Sequence, residues 1–297
     1  RDATATELSD RATLPVETIN EFIDTRWQEA KIQPAAEASD RVFARRLFLD
    51  LAGRTPKPSE LQAFLADERP EKREHLIDNL LSSEDHVQHF ADMFDSMLMG
   101  RGSSQSYVER NLHHWRGWLE RVIRDNRAWN DVVVETLAAR PGAAESRGAD
   151  WFLYERHDDH QAIAEAVSPA FFGIRVECAQ CHDHMMADEI KQSHYWGLVA
   201  FFNRGKNANA KNGPRVAESA VGGFSDFANL QGSSTPNLLS FFDSTVVDES
   251  RPGKDEKQED NDELYIPSPV EGEPRIPKFS RRQKFVDNVV KDHPLIA

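Results

Sequence analysis

Apolar residues in the first 140 positions recur at intervals of three and four, which is the period of an amphipathic helix. Ile19, Phe22, Ile23 and Trp27 share one face of a predicted helix over residues 15–30. Further helices are predicted over residues 39–53, 59–65, 76–81, 83–98, 112–123 and 130–139. No sustained alternation of period two interrupts them, so this half of the chain is predicted to be all-α.

Helical spacing returns between residues 161 and 202, on both sides of a short polar motif. Ser168-Pro169 is predicted to be an N-cap followed by a first-turn proline, because proline lacks the amide hydrogen that a helix interior needs. Ser193 is a candidate cap for the helix that ends near Phe202. The many aromatic residues here are what any buried core would contain, so by themselves they indicate no function.

The composition changes after residue 204. Residues 204–236 are rich in Gly, Asn and Ser, and residues 247–263 are nearly all charged or polar. The second stretch cannot form a core and is predicted to be a solvated loop, followed by an extended linker with four prolines between Pro267 and Pro277. A helical pattern then begins near Ser280 and reaches the last residues of the sequence.

The overall charge limits the class of partner. The 297 residues carry a formal net charge of −14, which argues against nucleic acid as a ligand because phosphate binding needs clustered basic residues. No apolar run is long enough to predict a membrane span. A chain of this length can bury one large core or two modest ones.

The strongest chemical signal is the run Cys178-Ala179-Gln180-Cys181-His182, which contains both cysteines of the chain. C-x-x-C-H is the attachment sequence of c-type haem. Each thiol can add to one haem vinyl group, and the two intervening residues let the pair straddle the porphyrin edge. His182 then follows at the position of a proximal iron ligand. We therefore predict one covalent haem c per chain, held by Cys178, Cys181 and His182.

Three other interpretations of the same residues remain open. Cys178, Cys181, His182 and His184 offer four zinc ligands, although four ligands within seven residues strain a tetrahedron. A redox dithiol is expected at a helix start within a βαβ unit, and no such unit is predicted here. A disulfide closing so short a loop would remove little chain entropy.

The motif and its surroundings resemble a known family, the planctomycete cytochrome-type domain of exported proteins of uncharacterised function. FFGIRVECAQCHDH followed by HYWGLVAFF carries the resemblance, and FLDLAGRTPKPSELQAFLAD, HLIDNLLSS and HFADMF are similar to the N-terminal half of that family. The segment from Arg281-Arg282 onward is similar to the start of the domain that usually follows. The resemblance implies haem binding, export, and electron transfer or other redox chemistry.

The ligand on the far side of the iron would decide the class of function. Met185 and Met186 follow His182 too closely to reach the opposite face, and no methionine lies downstream of them, so the small Met-ligated cytochrome c architecture is not expected. His89 is our distal candidate, because it lies on an amphipathic helix and matches a position of the family pattern. The alternatives are an open site or one of His113, His157, His160 and His194. A carbonyl or Asp183 is expected to orient His182 through its other ring nitrogen.

We thus predict a mostly α, multi-helical haem-binding domain with a long irregular, acidic C-terminal segment. Its predicted regions are 1–145 (N-terminal helices), 146–204 (a haem segment packed on them), 205–280 (irregular loop and linker) and 281–297 (the start of a following domain). The predicted function is electron transfer by an extracytoplasmic or periplasmic mono-haem cytochrome domain. Its partner would be a redox protein or the following domain of the same polypeptide. The alternatives are an enzyme whose open iron acts on peroxide or a small ligand, and an interaction domain that haem stabilises. No phosphate loop, Ser-His-Asp spacing or paired-carboxylate signature predicts a second catalytic centre.

Overall fold

The structure, a computed structural model, describes residues 16–140, 147–253, 256–268 and 270–296. About half of the chain is helical, and the described part contains twelve α-helices and eight short strands. The helices are α1 (Val16–Glu29), α2 (Asp40–Ala52), α3 (Pro58–Ala66), α4 (Lys72–Leu81), α5 (Glu84–Met99), α6 (Ser104–Leu112), α7 (Trp115–Arg124), α8 (Trp129–Ala138), α9 (Trp151–Tyr154), α10 (His160–Phe172), α11 (Gln192–Phe202) and α12 (Arg281–Phe285). The mostly helical fold that the sequence predicts is therefore present.

The chain divides into two compact units, and the boundary along the sequence lies between His89 and Phe90, inside α5. Sequence composition had placed a boundary at 145/146 instead, a position that lies outside the described residues. The difference has a simple origin. Composition registers where loops and polar stretches fall, whereas a compact unit is defined by which side chains pack together.

The first unit has a small core in which α2 packs against α3 and α4. Its buried residues include Phe48, Ala52 and Leu80, which form one apolar cluster. As predicted, Gly53 ends α2: it adopts a left-handed φ of 66°, and its amide donates to the Phe48 carbonyl. A Cβ at Gly53 would also collide with the imidazole of His89. The ring can therefore pack against the backbone at this position because residue 53 is a glycine.

The second unit has a large core built from α7, α8, α10, α11 and the C-terminal segment. Its largest fully buried hydrophobic side chains are Trp115, Trp118, Leu119, Leu137, Phe152, Tyr195, Phe201, Phe202, Phe241 and Phe285. Close approach between elements depends on Gly197 of α11, where a Cβ would lie only 2.5 Å from the Ser240 carbonyl oxygen. A glycine is therefore required at this crossing of helix and strand.

The sequence prediction for Pro169 was wrong. Proline does not open a new helix there, because α10 runs without a break from His160 to Phe172. Val167 and Phe171, on either side of the proline, are both buried in the core, and this packing offsets the loss of one helical hydrogen bond. The hydroxyl of Ser168, inside α10, donates a hydrogen bond at 2.6 Å to the carbonyl of Ile174, which lies two residues beyond the helix end.

The C-terminal residues are part of the same unit. Phe285, Val286, Val289 and Val290 from α12 and the π-type turn Val286–Val290 are buried in the large core. The sequence pattern placed the start of a following domain at residue 281, whereas residues 281–296 pack with the second unit. Apolar periodicity predicts a buried helical face, but it does not identify the core that receives that face.

Residues 205–280 contain more regular structure than their composition predicts. Their strands are β1 (Gly205–Ala210), β2 (Gly213–Glu218), β3 (Asp226–Ala228), β4 (Ser234–Pro236), β5 (Leu239–Ser240), β6 (Val246–Val247), β7 (Tyr265–Ile266) and β8 (Ile276–Pro277). They pair as four two-stranded antiparallel ladders, of which β1–β2 is the longest. Its two-residue turn, Lys211-Asn212, is followed by Gly213 at φ 113°. Asn212-Gly213 is the sequence signal for this hairpin. It is hard to recognise because the first strand consists of small and polar residues, without the apolar alternation that indicates a strand.

No helix in the described part of the chain has the length and apolar character needed to cross a membrane.

Candidate haem attachment site

The two cysteines lie on a 3₁₀ turn, Glu177–Gln180, and at the residue that ends it. Both are exposed, unoxidised thiols. Residues three apart on such a turn lie on the same side, so Cys178 and Cys181 share a surface-facing side of the chain. Val176 and Ala179 are completely buried on the opposite side and anchor the turn in the core. The alternation of buried and exposed residues thus presents both thiols to an incoming group.

The ring of His182 is oriented by a carbonyl, as expected. Its Nδ1 lies 2.7 Å from the backbone oxygen of Asp183. A carbonyl oxygen only accepts, so Nδ1 carries the hydrogen and Nε2 carries the lone pair. This tautomer leaves Nε2 as the nitrogen able to bind a metal, which is the usual arrangement for ligating histidines.

The backbone between the cysteines is held by α11. The Gln180 carbonyl accepts hydrogen bonds from Gln192 Nε2 at 3.0 Å and from Trp196 Nε1 at 3.1 Å. Gln192 also donates to the Ala228 carbonyl at 3.0 Å, which links the turn to β3. Sequence reasoning missed both donors as site residues, because an isolated glutamine and tryptophan fourteen and eighteen residues from Cys178 carry no local signature.

Asp183 ties the end of the motif to the start of α11. Its Oδ1 accepts a hydrogen bond from the backbone N–H of Gln192 at 2.9 Å, and Lys191 Nζ lies 3.4 Å from its Oδ2. The pKa of Asp183 is lowered, first by that backbone hydrogen bond and then by Lys191. The ionised carboxylate therefore satisfies an amide at the start of α11 and fixes the position of the residue after His182.

Most aromatic residues beside the motif have a structural role. Phe171, Phe172, Phe201 and Phe202 are buried in the large core, which is the ordinary position for such residues. Trp196 is the exception, since it is only half-buried and contacts the motif directly. Its ring stacks on Phe227 with centroids 6.5 Å apart.

The four potential zinc ligands are not assembled as a metal site. No group of three or more His, Cys, Asp or Glu side chains placed to hold a metal ion occurs among the described residues. His184 uses its Nδ1 to accept the Met186 amide at 3.2 Å. Covalent haem needs fewer side chains from the protein than a four-ligand zinc site, because two thiols and one imidazole are enough to hold it. The donor set at Cys178, Cys181 and His182 is therefore compatible with covalent haem and does not form a preassembled zinc site.

Several histidines proposed as distal ligands have other contacts. His160 Nε2 lies 2.9 Å from the Gly205 carbonyl, and His113 Nε2 lies 3.1 Å from Glu109. His194 accepts the Lys191 amide on Nδ1, and burial lowers its pKa. His157 adopts a left-handed backbone with φ 49°.

His89 is the last residue of the first unit, whereas the C-x-x-C-H motif belongs to the second. Within its own unit the His89 ring packs against Gly53, which is a structural role. Ligation of iron by His89 stays a prediction.

Met185 and Met186 are strongly exposed, at 75% and 89%. These two adjacent methionines, three and four residues after His182, leave apolar surface uncovered. Such surface is what a porphyrin edge would cover.

Comparison with known proteins identifies the family. Residues 18–207 match the family described as PSCyt2, a protein of unknown function (DUF1549). No similar curated protein and no similar solved structure was found. The match begins in α1, includes the whole cysteine motif and ends within β1, so it covers more than half of the chain. This chain therefore belongs to the PSCyt2 family, a domain family of planctomycete-type proteins.

Proposed function

We propose that this domain carries one covalently attached haem c and transfers electrons within a larger redox protein or complex outside the cytoplasm. The observation that carries the proposal is the pair of exposed thiols on one side of a 3₁₀ turn, followed by His182 with Nδ1 already engaged.

Attachment needs no oxidant. The S–H bond of each thiol adds across one vinyl C=C bond, with sulfur joining one carbon and hydrogen the other. Cys178 and Cys181 would form the two thioethers, and His182 Nε2 would supply the proximal ligand. Haem would contribute a one-electron couple, whose potential depends on its second ligand, its burial and nearby charge.

The protein's own contribution is to hold these three donors in place. Trp196 and Gln192 fix the Gln180 carbonyl, and Asp183 fixes the start of α11. A rigid support for the proximal ligand is what an electron-transfer site needs, because rearrangement during each electron transfer slows the reaction. The extracytoplasmic location follows from the chemistry, since thioether attachment of haem takes place outside the cytoplasm.

Co-expression with a cytochrome c maturation system, with export to the periplasm, tests the proposal. After denaturing electrophoresis the band should stain for haem, and its intact mass should exceed that of the apo-chain by one haem. Cys178→Ala and Cys181→Ala should each leave a single thioether and a lower yield, and the double variant should leave none. An unstained wild-type band of normal abundance would contradict the proposal. Zinc analysis of that protein would then test the metal alternative.

A matched pair of histidine variants tests the proximal assignment. His182→Ala should remove the absorption bands of low-spin iron from the attached haem. His184→Ala, a change of the same residue type two positions later, should leave them intact. Equal spectra for the two variants would show that His182 is not the ligand.

A further inference from the structure

A small pocket in the unit Phe90–Ala297 shares no residue with the C-x-x-C-H motif. It is lined by the junction of α6 and α7, the segment before α9 and the β1–β2 hairpin. Its volume is about 50 Å³. That is room for about four water molecules, or for one small tetrahedral oxyanion.

Basic side chains contribute to the described lining. Arg147 and Arg215 supply guanidinium groups, and His113 and His114 supply imidazoles. His114 is in a cationic environment: its pKa is lowered first by burial and then by Arg147 and Arg121.

Two of these side chains, Arg215 and His113, already have carboxylate partners. Glu273 binds the Arg215 guanidinium through two hydrogen bonds of 2.6 and 3.1 Å, and Glu109 bonds His113. Arg147 is exposed, and its guanidinium pairs with no carboxylate in the part of the chain that the structure describes. It is thus the cation available to an incoming anion.

One carboxylate faces the same space, and one of its oxygens lacks a donor. Asp150 Oδ2 is buried and accepts no hydrogen bond from the described residues. The nearest cation, Arg215 Nη1, is 3.6 Å away and instead donates to the Pro214 carbonyl at 2.8 Å. A buried acceptor of this kind calls for a donor from outside the chain.

The pocket therefore offers cationic donors together with a carboxylate acceptor. A fully ionised anion such as sulfate would satisfy the donors but would meet the lone pairs of Asp150. An oxyanion that keeps a hydrogen can donate to Asp150 Oδ2 while its other oxygens accept from the cations. At neutral pH inorganic phosphate always keeps at least one hydrogen, whereas a phosphomonoester, whose second pKa is about 6, is mostly fully ionised and sulfate is entirely so.

We propose that this pocket binds a protonated oxyanion, namely inorganic phosphate, and discriminates against sulfate through Asp150. The lining comes from segments about 100 residues apart in sequence, which is why no phosphate loop was visible in the sequence. The inference is independent of the haem proposal.

Titration calorimetry of the purified chain in a zwitterionic buffer near pH 7.5, at constant ionic strength, tests this inference. Sodium phosphate should bind roughly ten- to a hundredfold more tightly than sodium sulfate, the factor expected for one hydrogen bond to a charged group. O-phosphoserine, used as a third titrant, should bind about as weakly as sulfate, because its phosphate is mostly fully ionised at this pH. Equal affinity for phosphate and sulfate, or no heat with phosphate, would overturn the proposal.

Three variants make the test specific. Asp150→Asn turns the acceptor into a group that can donate, so sulfate should bind the variant at least as well as phosphate. Arg147→Gln should weaken both anions together, and Arg101→Gln, which changes an exposed arginine outside the pocket, should change neither. Circular dichroism of each variant establishes that it folds. A phosphate preference that persists in folded Asp150→Asn would refute the role of Asp150.

Discussion

The indole nitrogen of Trp196 donates to the carbonyl of Gln180 at 3.1 Å, and so joins the middle of α11 to the backbone between the two cysteines. Gln192, one turn earlier on α11, donates to the same oxygen. The motif is therefore supported by a helix that begins eleven residues after Cys181. The geometry of the thiols depends on this contact, and the first prediction follows from it.

Replacing Trp196 with Phe should lower the free energy of unfolding by about 1 kcal/mol, the typical contribution of one hydrogen bond. Gln192→Ala should cost about 1–2 kcal/mol, because it removes hydrogen bonds to the carbonyls of both Gln180 and Ala228. The double variant should cost more than the sum of the two, because only then does the Gln180 carbonyl lose both donors. Urea unfolding of the four proteins measures this coupling, and strict additivity would show that the shared carbonyl does not link the two side chains.

A pair of helical glycines gives a second prediction. Gly197→Ala places a methyl group against the backbone of Ser240 and should destabilise the protein by about 1–3 kcal/mol. Gly117→Ala, in α7, meets nothing closer than Arg121 Nη1 at 3.7 Å and should stabilise by about 0.5–1 kcal/mol. Thermal unfolding compares the two. Ser240→Ala should not rescue Gly197→Ala, since the backbone oxygen and nitrogen remain in place.

Glu60 provides a pH-dependent prediction in the first unit. Hydrogen bonds from Arg54 and from the Lys57 amide lower its pKa to about 2. Its contribution to stability is therefore complete above the unfolded-state pKa of about 4.3 and is lost as the pH falls towards 2. Its side chain is 30% exposed, so solvent screening limits the contribution to about 1 kcal/mol. Glu60→Gln should destabilise the protein at pH 7 and have little effect near pH 2, whereas exposed Glu68→Gln should show no such dependence.

The elements predicted correctly are those whose signal is local. The helical period in α2 and α5 and the glycine that ends α2 depend on residues within a few positions of one another. What was missed depends on tertiary packing. Pro169 lies inside a helix because Val167 and Phe171 are buried on either side of it, and Trp196 reaches a motif that belongs to another element.

The distal ligand is tested by paired variants on one helix. If His89 ligates iron, His89→Ala in the haem-loaded protein should convert low-spin to high-spin absorption and spin-resonance spectra. His86→Ala, one turn earlier on α5, should leave these spectra unchanged, because His86 Nδ1 lies 3.0 Å from the Leu51 carbonyl. Unchanged spectra in the His89 variant would remove His89 as the ligand.

Asp150 gives a prediction of the opposite sign to Glu60. Burial raises its pKa to about 6, against about 3.9 in the unfolded chain. Between these two pH values the folded state binds more protons than the unfolded state. The contribution of Asp150 to stability is therefore most favourable below about pH 4 and is lost as the pH rises through 6. The two-unit difference corresponds to a cost of about 2–3 kcal/mol for ionised Asp150 at neutral pH.

Asp150→Asn removes this ionisation while preserving the shape of the side chain. The free energy of unfolding of the variant, relative to wild type, should therefore rise by about 2–3 kcal/mol between pH 4 and pH 7.5. Phosphate at saturating concentration should reduce the gap by stabilising wild type, because a ligand that binds only the folded state adds to its stability. If the difference in unfolding free energy between Asp150→Asn and wild type does not change with pH, Asp150 does not titrate as a buried acid. Its proposed role in the anion pocket would then have to be abandoned as well.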